Sequence, residues 1–387
     1  MYLTCRVALK PNKEQEAFFW ECANAARFIY NFSLNLKTEA YKTEKVSLDW
    51  NTIVKYINRL KYTDDYIWIS KIPSETIKYA VKDMDSAFKK FFKGAGYPKF
   101  KKKSKTEPAF YTRYDRLHLV DNKHIKISGL KQPVKTYEKC VIPEKIVNPR
   151  IKYDGKYWYL TCGVELKPEN KKATVISNKF KTYSEIKDKE STEPLGIDLG
   201  ILHTAVCSNG KIYKNINKTH EIQRLEQKKK RLQQQISRKY EMNKQDNKFI
   251  KTKNIKKHEK QLKLVQRRIN NIRSNYINQM TSEIVKTKPS KIVIEDLSVS
   301  NMIKNKYLAK SIQEQKWYGI RQQLEYKGAL YNISVQIAPR FYASSKTCSN
   351  CGHINKKLTL ADRVYICTKC GLKIDRDYNA SINLSRL

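Results

Sequence analysis

The sequence has no long apolar run. No stretch of about 18 apolar residues occurs in its 387 residues, and its beginning lacks the cationic start and apolar core of a secretory signal. A helix that crosses a bilayer needs about 20 consecutive, mainly apolar residues, so the sequence predicts no such helix. We therefore expect a soluble protein of the cytoplasm.

Acidic residues are scarce relative to basic ones. The chain contains 37 Asp and Glu against 78 Lys and Arg, a formal charge of +41, and the basic residues run along almost its whole length. Such a field needs a polyanionic partner, and without an apolar anchor nucleic acid fits better than a membrane surface. Hydrophobic residues still make up 40% of the chain, which is enough to build the cores of two or three domains. The composition predicts a folded protein that binds nucleic acid.

Paired cysteine spacing is missing from most of the chain. Five of the nine cysteines lie in periodic segments without a partner at paired spacing. We expect these five to be small buried apolar side chains rather than members of disulfides: Cys5, Cys22, Cys140, Cys162 and Cys207.

The remaining four cysteines predict a metal site. Fifteen residues separate the pair Cys348 and Cys351 from the pair Cys367 and Cys370. Four thiolates at this spacing close a tetrahedral structural Zn²⁺ site, which leaves no open coordination position for catalysis. His353, next to the first pair, is the competing ligand. We predict that the four cysteines bind one structural zinc ion.

Hydrophobic periodicity divides the first half of the chain into helices and strands. A short strand, YLTCRVAL, precedes a helical region at residues 11–93, where Asn12 and Gln15 have the spacing of a capping box. Residues 100–178 are predicted to form a β-domain with an Asp154-Gly155 hairpin turn and strands at KHIKIS and KATVIS. We expect the first strand to pair into this β-domain across the helical insertion.

The pattern changes at Leu195 to that of an α/β domain. An apolar strand, a second strand and an Asn209-Gly210 turn into a third strand are followed by two long helices with basic outer faces. The apolar segment KIVI then predicts a strand in the middle of a mixed sheet. A helix near residues 317–329 and the strand SVQIA complete the domain.

Acidic residues interrupt or follow three of these elements. Asp198 lies in an apolar strand, where a carboxylate is costly to bury without a cationic partner. Glu295 ends the central strand, and its neighbour Asp296 is our candidate cap for the following turn. Asp375 and Asp377 precede an Ala- and Ile-rich helix, where an Asp is commonly an N-cap. Acids on two central strands and a nearby helix can converge, and a cluster of oxygen ligands suits two Mg²⁺ or Mn²⁺ ions that hydrolyse a phosphodiester.

The sequence contains the segments GIDLGILHTAVCSNG, IVIEDLSV, SSKTCSNCGH and YICTKCGLKIDRDYNASINL. These four segments resemble the RuvC-like nuclease motifs and zinc ribbon of TnpB, the family of transposon-encoded RNA-guided DNA endonucleases long called OrfB. Two N-terminal segments, LKPNKEQEAFFWECANAARFIYN and IPSETIKYAVKDMDSAFKKFF, match the same family, so the resemblance covers nearly the whole chain. Miniature type V CRISPR effectors share this layout and are the nearest neighbours of the family. Ser381 departs from the family pattern, in which Ala is usual.

The resemblance implies an α+β multidomain fold. A split wedge β-barrel would take residues 1–10 and 97–180, with a helical recognition domain inserted at residues 11–96. An RNase H-like (RuvC) α/β nuclease core would take residues 190–345 and 371–387, interrupted by the zinc ribbon at residues 346–370. The family pattern selects Asp198, Glu295 and Asp377 as the catalytic acids, which would hold the two Mg²⁺ or Mn²⁺ ions.

The resemblance also implies function and partners. Members of the family bind a guide RNA made from the transposon end, recognise a short motif beside the target and cut double-stranded target DNA. We therefore expect a bacterial or archaeal protein associated with the nucleoid. Nucleic-acid contacts are predicted in the basic and aromatic segment after the recognition helices, at Lys99, Lys101, Lys102, Lys103, Tyr111, Arg113 and Tyr114.

Three alternatives differ in the chemistry that they require. An RNA-guided repressor would bind DNA without cutting it, and a miniature type V CRISPR effector would differ chiefly in the origin of its guide. A DNA-joining transposase is less well supported, because the sequence lacks the His-hydrophobic-His pair that single-strand transposases use with a Tyr nucleophile.

Overall fold

The computed structural model describes residues 2–139, 146–165, 193–245, 248–359 and 361–387. The chain divides into two compact units, Met1–Glu185 and Ile186–Leu387. Among the described residues, every helix is too short or too polar to cross a lipid bilayer.

The helices of the first unit follow the predicted apolar periodicity. They are α1 (Lys13–Glu44), α2 (Trp50–Leu60) and α3 (Ser74–Phe91), with a 3₁₀ helix at Asp64–Lys71. The predicted capping box is confirmed at the start of α1: the backbone N–H of Gln15 donates to Asn12 Oδ1 at 2.8 Å, and the backbone N–H of Asn12 donates to Gln15 Oε1 at 3.0 Å. These bonds satisfy two N–H groups at the start of α1 that have no partner within the helix.

The strands of the first unit form one antiparallel sheet of seven strands. In chain order they are β1 (Tyr2–Lys10), β2 (Ala109–Tyr111), β3 (His118–Asp121), β4 (His124–Lys126), β5 (Val134–Thr136), β6 (Ile146–Tyr153) and β7 (Trp158–Glu165). Their spatial order is β2-β6-β7-β1-β5-β4-β3. Strand β1 therefore lies between β7 and β5, which confirms that the first strand pairs across the helical insertion.

Two further predictions concern this sheet. The Asp154-Gly155 hairpin is confirmed, because β6 and β7 pair on either side of it and Gly155 adopts a φ of +98°. No pairing joins β2 to β3 among the strands that the structure describes, so closure into a barrel stays a prediction. The strand predicted at KATVIS lies outside the described residues.

The three helices and the sheet of this unit share one hydrophobic core. Phe19 joins α1 to the sheet, because its ring centroid lies 5.7 Å from that of Phe110 in β2 and 5.2 Å from that of Trp158 in β7. Two of the cysteines expected to be buried, Cys22 and Cys162, lie in this core, whereas Cys5 is half-buried. Cys207 is buried in the second unit, and Cys140 lies outside the described residues.

The second unit contains the mixed sheet that the sequence predicts. Its strands are β8 (Leu195–Asp198), β9 (His203–Cys207), β10 (Ile212–Lys214), β13 (Lys291–Ile294) and β14 (Ser334–Ile337), in the order β10-β9-β8-β13-β14. The strand predicted to be central, β13, runs parallel to both of its neighbours, β8 and β14. The Asn209-Gly210 turn joins the antiparallel strands β9 and β10, with a φ of +82° at Gly210.

The second unit also contains helices and two short two-stranded sheets. The helices are α4 (His220–Met242), α5 (Lys253–Lys286), α6 (Val299–Met302), α7 (Ala309–Gln315), α8 (Trp317–Leu330) and α9 (Arg376–Ser385). In the two-stranded sheets, β11 (Lys244–Gln245) pairs with β12 (Lys248–Phe249), and β15 (Val364–Ile366) pairs with β16 (Lys373–Asp375). The long helices α4 and α5 pack along a narrow apolar seam, as predicted, through Ile222, Leu225, Leu232, Val265 and Ile269.

Candidate active site and metal centres

Adjacent parallel strands carry two of the three predicted acids. Asp198 is the last residue of β8, and Glu295 directly follows β13, which pairs with β8 in parallel. The carboxyl ends of parallel neighbours meet at one edge of a sheet, so both acids lie at that edge. Asp377 lies in the first turn of α9, which packs against β8.

Gly196 allows this packing. A Cβ atom at Gly196 would overlap the backbone O of Ser381 and the backbone N of Ser385, both in α9. Only glycine lets the strand and the helix approach so closely, backbone against backbone. This close packing brings Asp377, the acidic residue in the first turn of α9, to the end of β8.

The three carboxyl groups interact electrostatically. Burial raises the pKa of Asp198 well above its ordinary value, and the nearby carboxylates of Glu295 and Asp377 raise it further, whereas Arg376 opposes the rise. Burial also raises the pKa of Glu295, the Ser344 hydroxyl lowers it by hydrogen bonding, and Asp377 raises it. Buried acids that repel one another in this way favour a bound cation.

Two neighbouring aspartates have separate partners. Asp375 is the N-cap of α9, and its Oδ1 accepts a hydrogen bond from the backbone N–H of Tyr378 at 2.9 Å. Asp377 Oδ1 accepts one from Arg376 Nη2 at 3.0 Å. Asp375 thus caps α9, although its charge also contributes to the raised pKa of Asp198, and Asp377 is the acid within the first turn of this helix.

The expectation that Asp296 caps the turn after β13 is wrong. Its Oδ2 instead accepts a hydrogen bond from Arg340 Nε at 2.9 Å, and the N-cap of α6 is Ser298, without a side-chain capping bond. An ion pair with a residue 44 positions away cannot be predicted from local sequence.

The donor set of the three acids fits hard divalent ions. Carboxylate oxygens are the ligands that Mg²⁺ and Mn²⁺ prefer. Among the described residues, these oxygens do not form a set that lies within 4.8 Å of one another, unlike the cysteine sulfurs.

The four C-terminal cysteines converge as the sequence predicts. Their sulfur atoms all lie within 4.8 Å of one another, with 3.6 Å between the sulfurs of Cys348 and Cys370 and 3.5 Å between those of Cys351 and Cys367. Sulfurs at the corners of a tetrahedron, each about 2.3 Å from a central Zn²⁺, would lie roughly 3.8 Å apart. The cluster therefore has the donors and the size of a four-thiolate zinc site.

The competing ligand, His353, is engaged elsewhere. Its Nε2 lies 3.2 Å from Thr368 Oγ1, and its backbone O accepts a hydrogen bond from the N–H of Cys348 at 2.8 Å. Through these contacts His353 supports the turn that carries Cys348 and Cys351, which we call the first cysteine knuckle, from outside the sulfur cluster.

Replacing Cys367 with Ser should release the metal. We expect the zinc content of the purified variant to fall from one ion per chain to near zero, because the remaining three thiolates bind zinc far more weakly. The C-terminal region should lose stability with it. Elemental analysis and thermal unfolding measure the two effects. Cys22→Ala is the matched control, since Cys22 is buried in the other unit and its replacement should leave zinc bound. A native protein that contains no zinc would contradict the assignment.

The predicted nucleic-acid contacts fall into two groups. Lys99, Lys102 and Lys103 are exposed. Lys101 is not available in the same way, because its Nζ lies 3.8 Å from the centroid of the Tyr30 ring and its backbone N–H donates to Asn31 Oδ1 at 2.7 Å. The three exposed lysines are therefore the ones that can reach phosphates without rearrangement.

The aromatic and arginine members also differ from one another. Tyr111 is only 4% exposed, and its ring stacks on Tyr79 at 3.4 Å between centroids, so it supports the core rather than offering a face to a base. Arg113 pairs with Asp115 at 2.6 Å and with Glu75 at 3.5 Å. Tyr114 is 59% exposed and can stack on a base.

Sequence reasoning did not identify a cavity of about 430 Å³ that is lined by residues of α2 and α3. Trp50, Lys55 and Lys78 are among its lining residues, together with the acidic Glu75. Beside it, Lys82 Nζ lies 4.4 Å from the centroid of the Trp50 ring. Lys78 and Lys82 are four positions apart on α3 and so share a helix face, a signal that was present in the sequence.

Family comparisons cover three parts of the chain. A model described as the "Probable transposase" OrfB_IS605 matches residues 168–306, and the associated "Helix-turn-helix domain" model matches residues 1–45. A model of the Cas12f1-like TNB domain matches residues 317–384, which include the cysteine cluster and α9. In the structure, residues 1–45 contain one strand and one long helix rather than two helices joined by a turn.

Individual relatives span almost the whole chain. "Putative RNA-guided DNA endonuclease InsQ" of Escherichia coli K12 is 26% identical and covers 97% of this chain and 90% of its own. A "Putative RNA-guided DNA endonuclease" of Streptomyces pristinaespiralis is 27% identical, over 97% of this chain and 86% of its own. A solved Cas12f1-sgRNA-target DNA complex aligns over 100% of this chain and 99% of its own at 17% identity, but its TM-score of 0.38 is too low to add to the assignment. Over almost its whole length the chain is therefore similar to transposon-encoded proteins of the OrfB, or TnpB, type.

Proposed function

We propose that this protein is an RNA-guided endonuclease that cuts double-stranded DNA at an acidic centre formed by Asp198, Glu295 and Asp377. The observation that supports the proposal is that two of the acids lie at the carboxyl ends of adjacent parallel strands, and that Glu295 and Asp377 are close enough to raise the pKa of Asp198, which burial raises most. Relatives whose names describe RNA-guided DNA endonucleases cover 97% of the chain and support the same function.

The three acids would hold two Mg²⁺ or Mn²⁺ ions, which activate a water molecule and stabilise the leaving 3′-oxygen when bound. The end of β8 and the start of α9 hold Asp198 and Asp377 on rigid elements, and Glu295 lies beside the buried Ser344. Arg376 neutralises part of the charge of Asp377, so an ion would compete with this guanidinium for the carboxylate.

The proposed domains follow the family layout. A wedge barrel at residues 1–10 and 97–180 and recognition helices at residues 11–96 would bind the guide RNA and the motif beside the target. The nuclease core at residues 190–345 and 371–387 would cut, with the ribbon at residues 346–370 closed by one structural zinc ion. The partners are a guide RNA from the transposon end and target DNA, in a bacterial or archaeal cytoplasm near the chromosome.

Two surfaces of the first unit are proposed to contact nucleic acid. One contains the exposed lysines Lys99, Lys102 and Lys103 with Tyr114, where ammonium groups can pair with phosphates and an exposed ring can stack on a base. The other is the cavity beside Trp50, which combines an aromatic wall with basic residues.

Replacing Lys102 and Lys103 together with Ala should weaken nucleic-acid binding. The slope of the logarithm of the binding constant against the logarithm of salt concentration should fall by about one unit for each phosphate that the variant no longer neutralises. Filter binding of the purified complex to target DNA at several salt concentrations measures this slope. Arg113→Ala is the control, because Arg113 is already paired with Asp115 and Glu75 and should change the slope less. Equal slopes in the wild-type protein and the double variant would remove these lysines from the interface.

A direct assay tests the function. RNA that copurifies with the protein is sequenced to reveal the guide, and the complex is then incubated with matched double-stranded DNA and Mg²⁺. We expect cuts in the matched DNA and none after chelation of the metal. Tight, salt-sensitive binding without cleavage under Mg²⁺ or Mn²⁺ would instead identify an RNA-guided repressor, and strand-transfer products would identify a transposase.

A further inference from the structure

Two asparagines of α9 are buried although their side chains are polar. Asn379 is 0% exposed and Asn383 is 2% exposed. They are four positions apart and therefore lie on the same face of the helix. A buried amide without hydrogen bonds is unfavourable, so the hydrogen-bond partners of the two asparagines show which segment this face of the helix holds.

Both asparagines hold the backbone around the first cysteine pair. Asn379 Nδ2 donates to the backbone O of Thr347 at 2.7 Å, and its Oδ1 accepts from the backbone N–H of Ser349 at 2.9 Å. Asn383 Nδ2 donates to the backbone O of Ser344 at 2.8 Å and to that of Thr347 at 2.6 Å. Thr347 and Ser349 lie directly before and after Cys348, a predicted zinc ligand, and Ser344 lies four positions before it.

The same segment also reaches the acidic centre. Ser344 is 3% exposed, and its Oγ donates to Glu295 Oε1 at 3.5 Å. Asp377 lies two positions before Asn379 on the same helix. Residues 344–349 therefore lie between Glu295, which follows β13, and α9, which carries Asp377.

Hydrogen bonds of this kind set positions that apolar packing leaves variable. Apolar contacts hold two elements together without specifying direction, whereas an amide that donates to one backbone O and accepts from a nearby N–H fixes a register. Side chains that orient the ligands of a metal commonly change metal affinity by about 10–100-fold when they are removed.

We propose that Asn379 and Asn383 are positioning residues that attach the first cysteine knuckle to α9 and, through Ser344, orient Glu295 for binding divalent ions. The cysteine ribbon is then a structural part of the acidic centre. This inference rests on the proposed function for the identity of the acidic centre, but its test includes metal binding in the absence of cleavage.

The test uses three single variants, Asn379→Ala, Asn383→Ala and Ser344→Ala, in the full-length protein. In the RNA-bound complex, the Mg²⁺ concentration for half-maximal cleavage should rise about tenfold, and saturating Mg²⁺ should restore much of the rate. In the RNA-free protein, the affinity for Mn²⁺, measured by electron paramagnetic resonance, should weaken by a similar factor. The Asp198→Asn variant identifies the signal of the acidic centre as the bound Mn²⁺ that this variant loses. Elemental analysis should still find one zinc ion per chain.

The control is Thr368→Val, which changes a ribbon residue whose hydroxyl contacts His353. Its Mg²⁺ and Mn²⁺ dependence should match that of the wild-type protein. An unchanged Mn²⁺ affinity in all three variants with zinc retained would overturn the proposal, as would an equal loss in the control. If the asparagine variants fail to fold, Ser344→Ala decides, because it removes only the bond to Glu295. A wild-type protein that never cuts DNA contradicts the proposed function, whereas the Mn²⁺ measurement still decides the positioning role.

Discussion

Replacing Asp198 with Asn should abolish DNA cleavage and at the same time stabilise the metal-free protein. Loss of this carboxylate would remove one of the three side chains that would hold the divalent ions of the proposed centre, so we expect the cleavage rate to fall by at least about a thousandfold. Binding of guide RNA and target should persist, because Asp198 lies at a sheet edge and not on the basic surfaces. Single-turnover cleavage and filter binding measure the two properties.

The stability effect follows from the raised pKa of Asp198. A folded state that raises the pKa of a carboxyl holds its proton more tightly than the unfolded chain does, so stability falls as pH rises from about 4 through the raised pKa. Asn carries no charge and avoids this loss. In the absence of divalent ions, the variant should therefore unfold at higher urea concentration than the wild-type protein at about pH 7.5, and the difference should shrink towards about pH 5.

Added Mg²⁺ should stabilise the wild-type protein more than the variant, since the ion compensates a charge that Asn lacks. Asp375→Asn is the matched control: Asn also caps helices, and Asp375 is bonded to the backbone N–H of Tyr378, so cleavage should change only a few-fold. Wild-type cleavage in Asp198→Asn, or a metal-free variant no more stable than wild type at neutral pH, would contradict this account of the centre.

The second large effect is expected at Gly196. Gly196→Ala places a methyl group into the backbone of α9 at Ser381 and Ser385, and backbone cannot move aside as a flexible side chain can. We expect a loss of about 3 kcal/mol or more in the free energy of unfolding, together with loss of cleavage, because α9 carries Asp377. Urea unfolding and the cleavage assay measure both.

Gly319→Ala is the control for Gly196→Ala. Gly319 lies in α8, and a Cβ atom there would meet its nearest neighbour, Lys316 Cβ, at 3.9 Å, an ordinary van der Waals distance. Because alanine favours helix over glycine by up to about 1 kcal/mol, this control should be neutral or slightly stabilising. Equal stability of the Gly196→Ala and Gly319→Ala proteins would show that α9 does not depend on the glycine.

The sequence predicted those features of the structure that depend on interactions between residues close together in the chain. The capping box of Asn12 and Gln15 and the turns at Gly155 and Gly210 are confirmed because each depends on residues within a few positions of one another. The prediction that β13 lies inside a mixed sheet is confirmed, since it has a neighbour on each side, and an unbroken apolar strand is typical of such a buried position. The four cysteines could be predicted to meet because their spacing itself encodes a metal site.

The sequence by itself also determined the polyanionic partner, through its charge, and the candidate acids, through their positions at the ends of apolar strands. Tertiary structure alone decided which neighbours those acids have. Asp375 caps α9, Asp296 pairs with Arg340, and Tyr111 is stacked on Tyr79 inside the core. The hydrogen bonds of Asn379 and Asn383 likewise depend on how α9 packs against residues 344–349. Such contacts join residues tens of positions apart, and the free energy that selects them comes from burial and hydrogen bonding in the packed core, which no short window of sequence contains.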